Sequence, residues 1–169
     1  HDGTVTIDGG GSRNTGIYVS GRKYLIIAGF KVQHTVNPGD GSIFIINSSY
    51  VTVQNCNIAN AADRGIRIHN STYSTAKDNT IDTGIVSNDI QTDGIYTQAG
   101  EHNVLDGNTV ILRNLNESSH NDPIQSYDEK YLTVKNNWCE IEKGRGNNVS
   151  QGMIIQKTSG WVKIYNNIV

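Results

Sequence analysis

The sequence has 169 residues, of which 36% are hydrophobic and 18% are charged, and its net charge at pH 7 is −2. This length suits one domain, and a mean hydropathy of −0.45 predicts that its core is thin. The sequence contains neither a basic stripe nor an apolar run near the ~20 residues of a membrane span, so nucleic acids and membranes are not expected partners.

Two kinds of short phrase alternate along the chain. In chain order, the first kind is NTGIYVS, DGSIFII, ADRGIRIH, QTDGIYTQ, HNDPIQSY and SQGMIIQK. The second kind follows each of these as YLIIAGFKV, YVTVQNCNI, STAKDNTI, NVLDGNTV, LTVKNNWC and VKIYNNIV. The first phrases recur at spacings of 26, 23, 29, 29 and 29 residues. Such a repeat predicts a solenoid of stacked coils.

Alternation with a period of two residues predicts strands within each phrase. The first strands contribute an inward column of Ile17, Ile43, Ile66, Ile95, Ile124 and Met153. The second strands contribute Ile27, Val53, Ala76, Leu105, Val134 and Ile164, and the third contribute Val32, Ile58, Ile81, Val110, Cys139 and Ile168. We therefore predict three short parallel strands per coil. The stretch VTIDGGG near the start is predicted to be the third strand of a preceding coil.

The turn between the second and third strands carries a column of Phe30, Cys56, Asn79, Asn108, Asn137 and Asn167. Asparagines in register at the ~4.8 Å strand spacing can pass amide hydrogen bonds from one coil to the next. We therefore expect an internal asparagine ladder.

Three strands per coil and an asparagine ladder at the second turn resemble the single-stranded right-handed parallel β-helix of the pectin-lyase-like superfamily. The resemblance covers about residues 4–169 and implies an all-β fold of about six coils with three short parallel sheets. It also implies one domain over residues 1–169, which we interpret as a mature region or a piece of a longer solenoid. Relatives include polysaccharide lyases, glycoside hydrolases, tailspikes and adhesins, which implies a secreted protein outside the cell or on its surface.

Long loops at 82–91, 111–119 and 140–149 follow the third strands and are expected to wall a groove on the first sheet. The outward residues of that sheet form two columns, Tyr18, Phe44, Arg67, Tyr96, Gln125 and Ile154, and Ser20, Ile46, His69, Gln98, Tyr127 and Gln156. Aromatic, amide and imidazole groups on one face predict that a polysaccharide is bound by His69, Tyr96, Gln98, Gln125, Tyr127 and Gln156.

Asp93 and Asp122 occupy the same edge position of adjacent coils, roughly 5 Å apart by the strand spacing. Two carboxylates at this distance could serve as the proton donor and acceptor of a glycosidase, because like charges this close raise the pKa of one of the two groups. They could instead bind Ca²⁺, the one cofactor that this pattern suggests. A third possibility is that both cap the turn entering the strand by accepting backbone N–H bonds.

Two further residues are candidates for catalysis. His120 lies two residues before Asp122 and could be an acid, a base or a sugar contact. Arg67 could act like the arginine of β-helix lyases, as the base or as the group that neutralises a uronate carboxylate, or it could pair with Asp93. TDGI at Thr92–Ile95 followed by Asp122 also resembles the polygalacturonase pattern, although this sequence has Asn121 where that pattern has an aspartate.

These features predict a carbohydrate-active domain that cleaves an acidic, uronate-containing polysaccharide by β-elimination or hydrolysis. Its catalytic residues are predicted to be Asp93, Asp122, His120 and Arg67. The alternative is a non-catalytic glycan-binding, adhesin-like or tailspike-like module that uses the same groove. End-to-end self-association is also expected, because the open ends of a solenoid expose unpaired backbone groups.

Overall fold

The computed structural model describes residues 3–36, 39–61, 63–84, 92–113, 121–142 and 151–169. Their strands, in chain order, are β1 (Val5–Asp8), β2 (Ile17–Ser20), β3 (Lys23–Ala28), β4 (Phe30–Gln33), β5 (Ile43–Ile46), β6 (Ser49–Gln54), β7 (Asn57–Ala59), β8 (Arg64–His69), β9 (Thr75–Lys77), β10 (Thr80–Asp82), β11 (Asp93–Gln98), β12 (Val104–Asp106), β13 (Thr109–Leu112), β14 (Ile124–Tyr127), β15 (Thr133–Lys135), β16 (Trp138–Ile141), β17 (Met153–Gln156) and β18 (Lys163–Tyr165). Within these ranges, no helix has the length and apolarity needed to cross a membrane.

Every third strand belongs to the same parallel sheet, so the chain coils into a solenoid with three faces. Sheet 1 contains β2, β5, β8, β11, β14 and β17, sheet 2 contains β3, β6, β9, β12, β15 and β18, and sheet 3 contains β1, β4, β7, β10, β13 and β16. This arrangement confirms the predicted all-β parallel β-helix. Strand β1 pairs with β4, as expected for the third strand of a preceding coil.

Backbone pairing places the predicted apolar columns in register. The sheet 1 column runs through Ile17, Ile43, Ile66, Ile95, Ile124 and Met153. From Ile43 to Ile124 these side chains are fully buried. A slip of one residue would turn every one of them to solvent, so burial of this column fixes the register of the sheet.

The predicted end of the sheet 3 column at Ile168 is wrong by one residue. Ile168 pairs with Trp138 and is 57% exposed, whereas the Val169 side chain lies beside Gly152. In every coil the inward residue follows the ladder position by two residues. After Asn167 that residue is Val169, although Ile168 is the larger apolar side chain.

The asparagine ladder links four consecutive coils. The Asn79 side chain donates to that of Asn108, and Asn108 donates to Asn137, both at 2.9 Å. Asn137 donates in turn to Asn167 at 2.9 Å. Each amide nitrogen also donates to a backbone carbonyl, as Asn108 does to Ala76 at 2.9 Å. The ladder therefore satisfies buried polar groups at a tight turn.

A row of residues at the entry to sheet 2 forms an aromatic stack. Its members are Tyr24, Tyr50, Tyr73, His102 and Tyr131, whose neighbouring ring centroids lie 4.6 to 5.0 Å apart. All have φ between 52° and 57°, which is unfavourable for bulky side chains. Stacking, worth about 0.5–1.5 kcal/mol per pair, offsets that cost.

Candidate functional site

The outward face of sheet 1 brings the predicted binding residues together. One column contains Phe44, Arg67, Tyr96 and Gln125, and the next contains His69, Gln98, Tyr127 and Gln156. Gln156 is exposed and Gln125 is half-buried. Because neighbouring strands lie ~4.8 Å apart, each column presents one side chain per strand spacing along the solenoid.

Arg67 lies at the centre of this face. Its guanidinium carbon is 4.9 Å from the centroid of the Phe44 ring and 5.8 Å from that of Tyr96. It donates to the Gly39 carbonyl and, at 3.2 Å, to Gln98 Oε1. Among the described residues it forms no ion pair with a carboxylate, and its buried Nε lacks a hydrogen-bond partner. The face therefore holds a positive charge whose donors are only partly used.

His69 lies two residues after Arg67 on β8, so both side chains point outward. Burial lowers the pKa of His69 below its usual 6.5, and the charge of Arg67 lowers it further, against an opposing contribution from Gln98. The imidazole is therefore neutral at pH 7 and can accept a proton. Its buried Nδ1 has no hydrogen-bond partner in the described part of the chain.

The two predicted sugar-binding tyrosines differ in their surroundings. Tyr96 is 9% exposed and lies under the Arg64 guanidinium, with 4.5 Å from Cζ to the ring centroid. Burial raises the pKa of Tyr96, so its hydroxyl stays protonated at neutral pH. Tyr127 is half-buried and faces the Lys157 ammonium at 4.8 Å. Tyr127 is thus the more accessible ring, and Tyr96 forms part of the floor.

Asp93 and Asp122 lie at the edge of sheet 1 and are fully buried. Asp93 Oδ1 accepts the backbone N–H of Asp122 at 3.3 Å, and Asp122 Oδ1 accepts the backbone N–H of Gln151 at 2.9 Å. Each carboxyl group therefore caps the coil that follows it. This is the geometry expected of the capping possibility, and it leaves neither side chain exposed to a polysaccharide.

Asp63 and Arg64, which are not among the predicted site residues, also lie at this edge. Arg64 Nη1 lies 2.9 Å from Asp63 Oδ2, and Arg64 Nε lies 3.4 Å from Asp93 Oδ2. The possible pairing of Arg67 with Asp93 is therefore wrong, because Arg64 is the residue directly opposite Asp93 in the sheet. The repeat in the sequence could have predicted this pair. Arg64 comes directly before Gly65, and Asp93 comes directly before Gly94, the glycine at the same position of the next coil.

Burial sets the protonation of these edge carboxyl groups. It raises the pKa of Asp93 to about 7 and that of Asp63 to about 6, although Arg64 lowers both. The neighbouring charge of Asp122 raises the pKa of Asp93 further. At neutral pH, Asp93 is thus close to half protonated while it keeps its capping bond.

A Ca²⁺ ion does not fit this pair of aspartates. Both Oδ1 atoms are engaged by backbone N–H groups, and the Arg64 guanidinium faces Asp93 Oδ2 at 3.4 Å. A divalent cation would have to replace that positive group. In the described ranges, no set of three His, Cys, Asp or Glu side chains is placed to hold a metal.

Most of the three long loops lies outside the described residues, at positions 85–91, 114–120 and 143–150. His120 belongs to the second of these ranges. The role of His120 and the walls of the groove therefore stay predictions. The part of the site that the structure describes is the floor, built from sheet 1, and its buried edge.

Each coil adds one strand to each of three parallel sheets, and an asparagine ladder links successive coils. This architecture defines a parallel β-helix protein. The profile of the family described as right handed beta helix region matches residues 11–169, and the chain belongs to that family. No curated protein matches the chain. The fold implied by the resemblance is thereby confirmed, and it is one that hosts many chemistries.

Proposed function

We propose that this β-helix domain binds an acidic, uronate-containing polysaccharide along the outward face of sheet 1 and cleaves it by β-elimination. The observation that carries the proposal is Arg67, a half-buried guanidinium at the centre of the face with no carboxylate partner among the described residues. Guanidinium groups bind carboxylates through charge-assisted, paired hydrogen bonds. The ligand would meet this chain outside the cell or at its surface.

Arg67 is held ready for a carboxylate by its neighbours. Phe44 and Tyr96 fix the plane of the guanidinium, and Gln98 binds one of its nitrogens at 3.2 Å. Burial lowers the pKa of Arg67, as does the nearby Arg64, whereas Tyr96 and two carboxylates beyond ion-pair distance, Asp40 and Asp63, raise it. An anionic ligand would relieve that repulsion, so a uronate group is favoured over a neutral sugar at this position.

In β-elimination, binding of the uronate carboxylate makes the neighbouring C5–H more acidic. We assign Arg67 to that binding, because a guanidinium stays protonated in proteins. Neutral His69, beside it on the same strand, accepts the C5 proton. The C4–O bond then breaks, a C4=C5 double bond forms, and the departing oxygen takes a proton from water.

Burial of the two aspartates favours elimination over hydrolysis. A retaining glycosidase needs two carboxyl groups that reach the sugar from opposite sides. Asp93 and Asp122 have no exposed surface and are engaged in capping. The same observation supports a second candidate, a non-catalytic glycan-binding module of the adhesin or tailspike type, in which Arg67 binds the ligand and no bond is broken.

The deciding experiment is incubation with a panel of uronate polysaccharides, followed by ultraviolet absorbance of the unsaturated product and by a reducing-end assay. We expect His69→Gln to lower kcat about 100-fold or more, since general bases contribute at least that much. Arg67→Gln should lower kcat/KM by a similar factor. Arg22→Gln, which removes an exposed arginine elsewhere, is the matched control and should change neither.

The outcome for Asp122→Asn separates the alternatives. An asparagine oxygen can still accept the Gln151 N–H, so elimination predicts an active, folded variant. Loss of turnover without loss of folding would indicate hydrolysis by the aspartates. Binding of the polysaccharides without any product would indicate the non-catalytic module.

A further inference from the structure

A cleft lies on the outward face of sheet 3. Its volume is about 410 Å³, and the residues lining it include Lys31, Asn57, Ala59, Thr80, Asp82 and Arg113. This is within the range of small-molecule sites, about 300–1,000 Å³. The lining is rich in amide, hydroxyl and charged groups, so the cleft suits a polar ligand.

The cleft exists because one column of sheet 3 contains a small residue. Ala59 is paired with Gln33 on one side and Asp82 on the other, so its methyl group leaves a gap between two longer side chains. Nearby, Asn60 packs closely against Gly84, where a side chain would overlap it. The shape of the cleft therefore depends on two positions that lack a large side chain.

The acidic residue in the cleft is already compensated. Arg113 Nε lies 3.0 Å from both carboxylate oxygens of Asp82, and the Gly84 N–H donates to Asp82 Oδ1 at 3.0 Å. Arg113 also pairs with Glu142. These contacts fix the far wall of the cleft, and because two carboxylates share the Arg113 guanidinium, that wall offers a ligand no free positive charge.

Lys31 supplies the uncompensated charge. Among the described residues, its ammonium group has no ion-pair partner, and it is half-buried at the rim. Asn57 and Thr80 follow it in the same column on the next two strands, and both are exposed. A cation, an amide and a hydroxyl thus stand in a row at the ~4.8 Å strand spacing.

The same column continues towards an aromatic surface. Thr80 pairs with Thr109, and Thr109 pairs with Trp138, whose side chain is 47% exposed. Aromatic rings bind the apolar faces of sugars, while amides and hydroxyls bind their hydroxyl groups. One line along the solenoid therefore offers both kinds of contact to an extended chain.

We infer that the sheet 3 cleft is a second saccharide-binding site, which takes an acidic sugar with its carboxylate at Lys31. The hydroxyl groups of the sugar meet Asn57 and Thr80, and further units extend towards Trp138. The inference does not rest on cleavage at sheet 1, because it uses a different face of the solenoid. It gives the domain two contacts with acidic glycan chains.

The test is a titration of the folded domain with a tetrasaccharide of galacturonic acid at millimolar concentration, followed by amide chemical shifts. We expect shifts at Asn57 and Thr80 that Ala59→Gln abolishes by filling the cleft. Ala28→Gln makes the same change at an exposed alanine on sheet 2 and should leave these shifts intact. Lys31→Gln should weaken binding about tenfold through loss of one charged hydrogen bond.

Arg67→Gln distinguishes the two sites, because it removes the sheet 1 contact and should leave the sheet 3 shifts in place. The inference is overturned by an absence of shifts at Asn57 and Thr80, or by shifts that persist in Ala59→Gln. Equal affinity for a neutral glucose tetrasaccharide would overturn the assignment of the sugar carboxylate to Lys31.

Discussion

Glu129 is a carboxylic acid enclosed in the interior of the solenoid, with no exposed surface. The Asn103 side chain donates to its two oxygens at 3.3 and 3.2 Å. Gly100 makes room for it, because a Cβ there would lie 2.6 Å from Glu129 Oε1. Burial raises the pKa of Glu129 to about 7, although the Asn103 hydrogen bond lowers it.

This buried acid should make stability depend on pH. The unfolded chain releases the Glu129 proton near pH 4.5, whereas the folded protein holds it until about pH 7. Between these values the folded state binds more protons, so the free energy of unfolding falls as pH rises, and the loss is complete above pH 7. Raising the pH from 5 to 8 should therefore lower the free energy of unfolding of the wild type by about 3 kcal/mol more than that of Glu129→Gln.

Urea unfolding of both proteins at pH 5 and pH 8 measures this difference. Asp63 and Asp93 also have raised pKa values, so the variant retains part of the pH dependence. Glu140→Gln removes an exposed carboxylate and is the control, for which the wild-type pH dependence is expected. Equal pH dependence in Glu129→Gln and wild type would contradict the burial of this acid.

At the scale of the strands and turns, the asparagine ladder ties each coil to the next. Replacing Asn108 by Leu removes the acceptor of two Asn79 N–H groups, one backbone and one side-chain, and it removes the side-chain donor to the Ala76 carbonyl. Each buried group left without a partner costs about 1–3 kcal/mol. We expect Asn108→Leu to lower the free energy of unfolding by at least about 3 kcal/mol, as measured by urea denaturation.

Asn57→Leu is the matched control for the ladder. Asn57 is exposed, lies one residue after the ladder position of its own coil, and makes no side-chain hydrogen bond within the described residues. Its replacement should change stability by less than about 1 kcal/mol. Similar losses in the two variants would mean that the ladder does not hold the coils together.

The strands and the ladder could be predicted from the sequence because both repeat at fixed positions in every coil. Ile43, Ile66 and Ile95 recur with the same alternation, so one column confirms the next. Glu129 could not be predicted in this way, because YDEK has the composition of an exposed turn and only the space beside Gly100 allows burial. Repetition identifies what the coils share, and it misses what a single coil does differently.

The candidate site was predictable to the same extent. Register brings Arg67, His69 and Gln98 onto one face, as the columns indicated. The sequence left three possible uses of Asp93 and Asp122 open, of which capping was one, and could not decide among them, because burial depends on how the edge of the sheet packs. It also gave no sign of the sheet 3 cleft, which depends on one alanine between two longer side chains.

For the whole molecule, the solenoid has three faces that differ in chemistry. Sheet 1 presents Arg67 without a carboxylate partner among the described residues, and sheet 3 presents Lys31 in the same situation. The net charge is −2, so the chain as a whole does not attract anions. The proposed recognition of an acidic glycan therefore depends on these local positive groups, and we expect it to weaken as salt screens them.

The most direct test of the proposed function is calorimetric binding of polygalacturonate, at low and high salt, to the wild type, Arg67→Gln and Arg22→Gln, each carrying Ala59→Gln so that the sheet 3 cleft is filled. We predict that Arg67→Gln weakens binding about 10- to 100-fold, as expected for loss of charged hydrogen bonds. We also predict that Arg22→Gln binds like the wild type and that a neutral polysaccharide binds less tightly. Equal affinity of the wild type and Arg67→Gln for polygalacturonate would contradict the proposal.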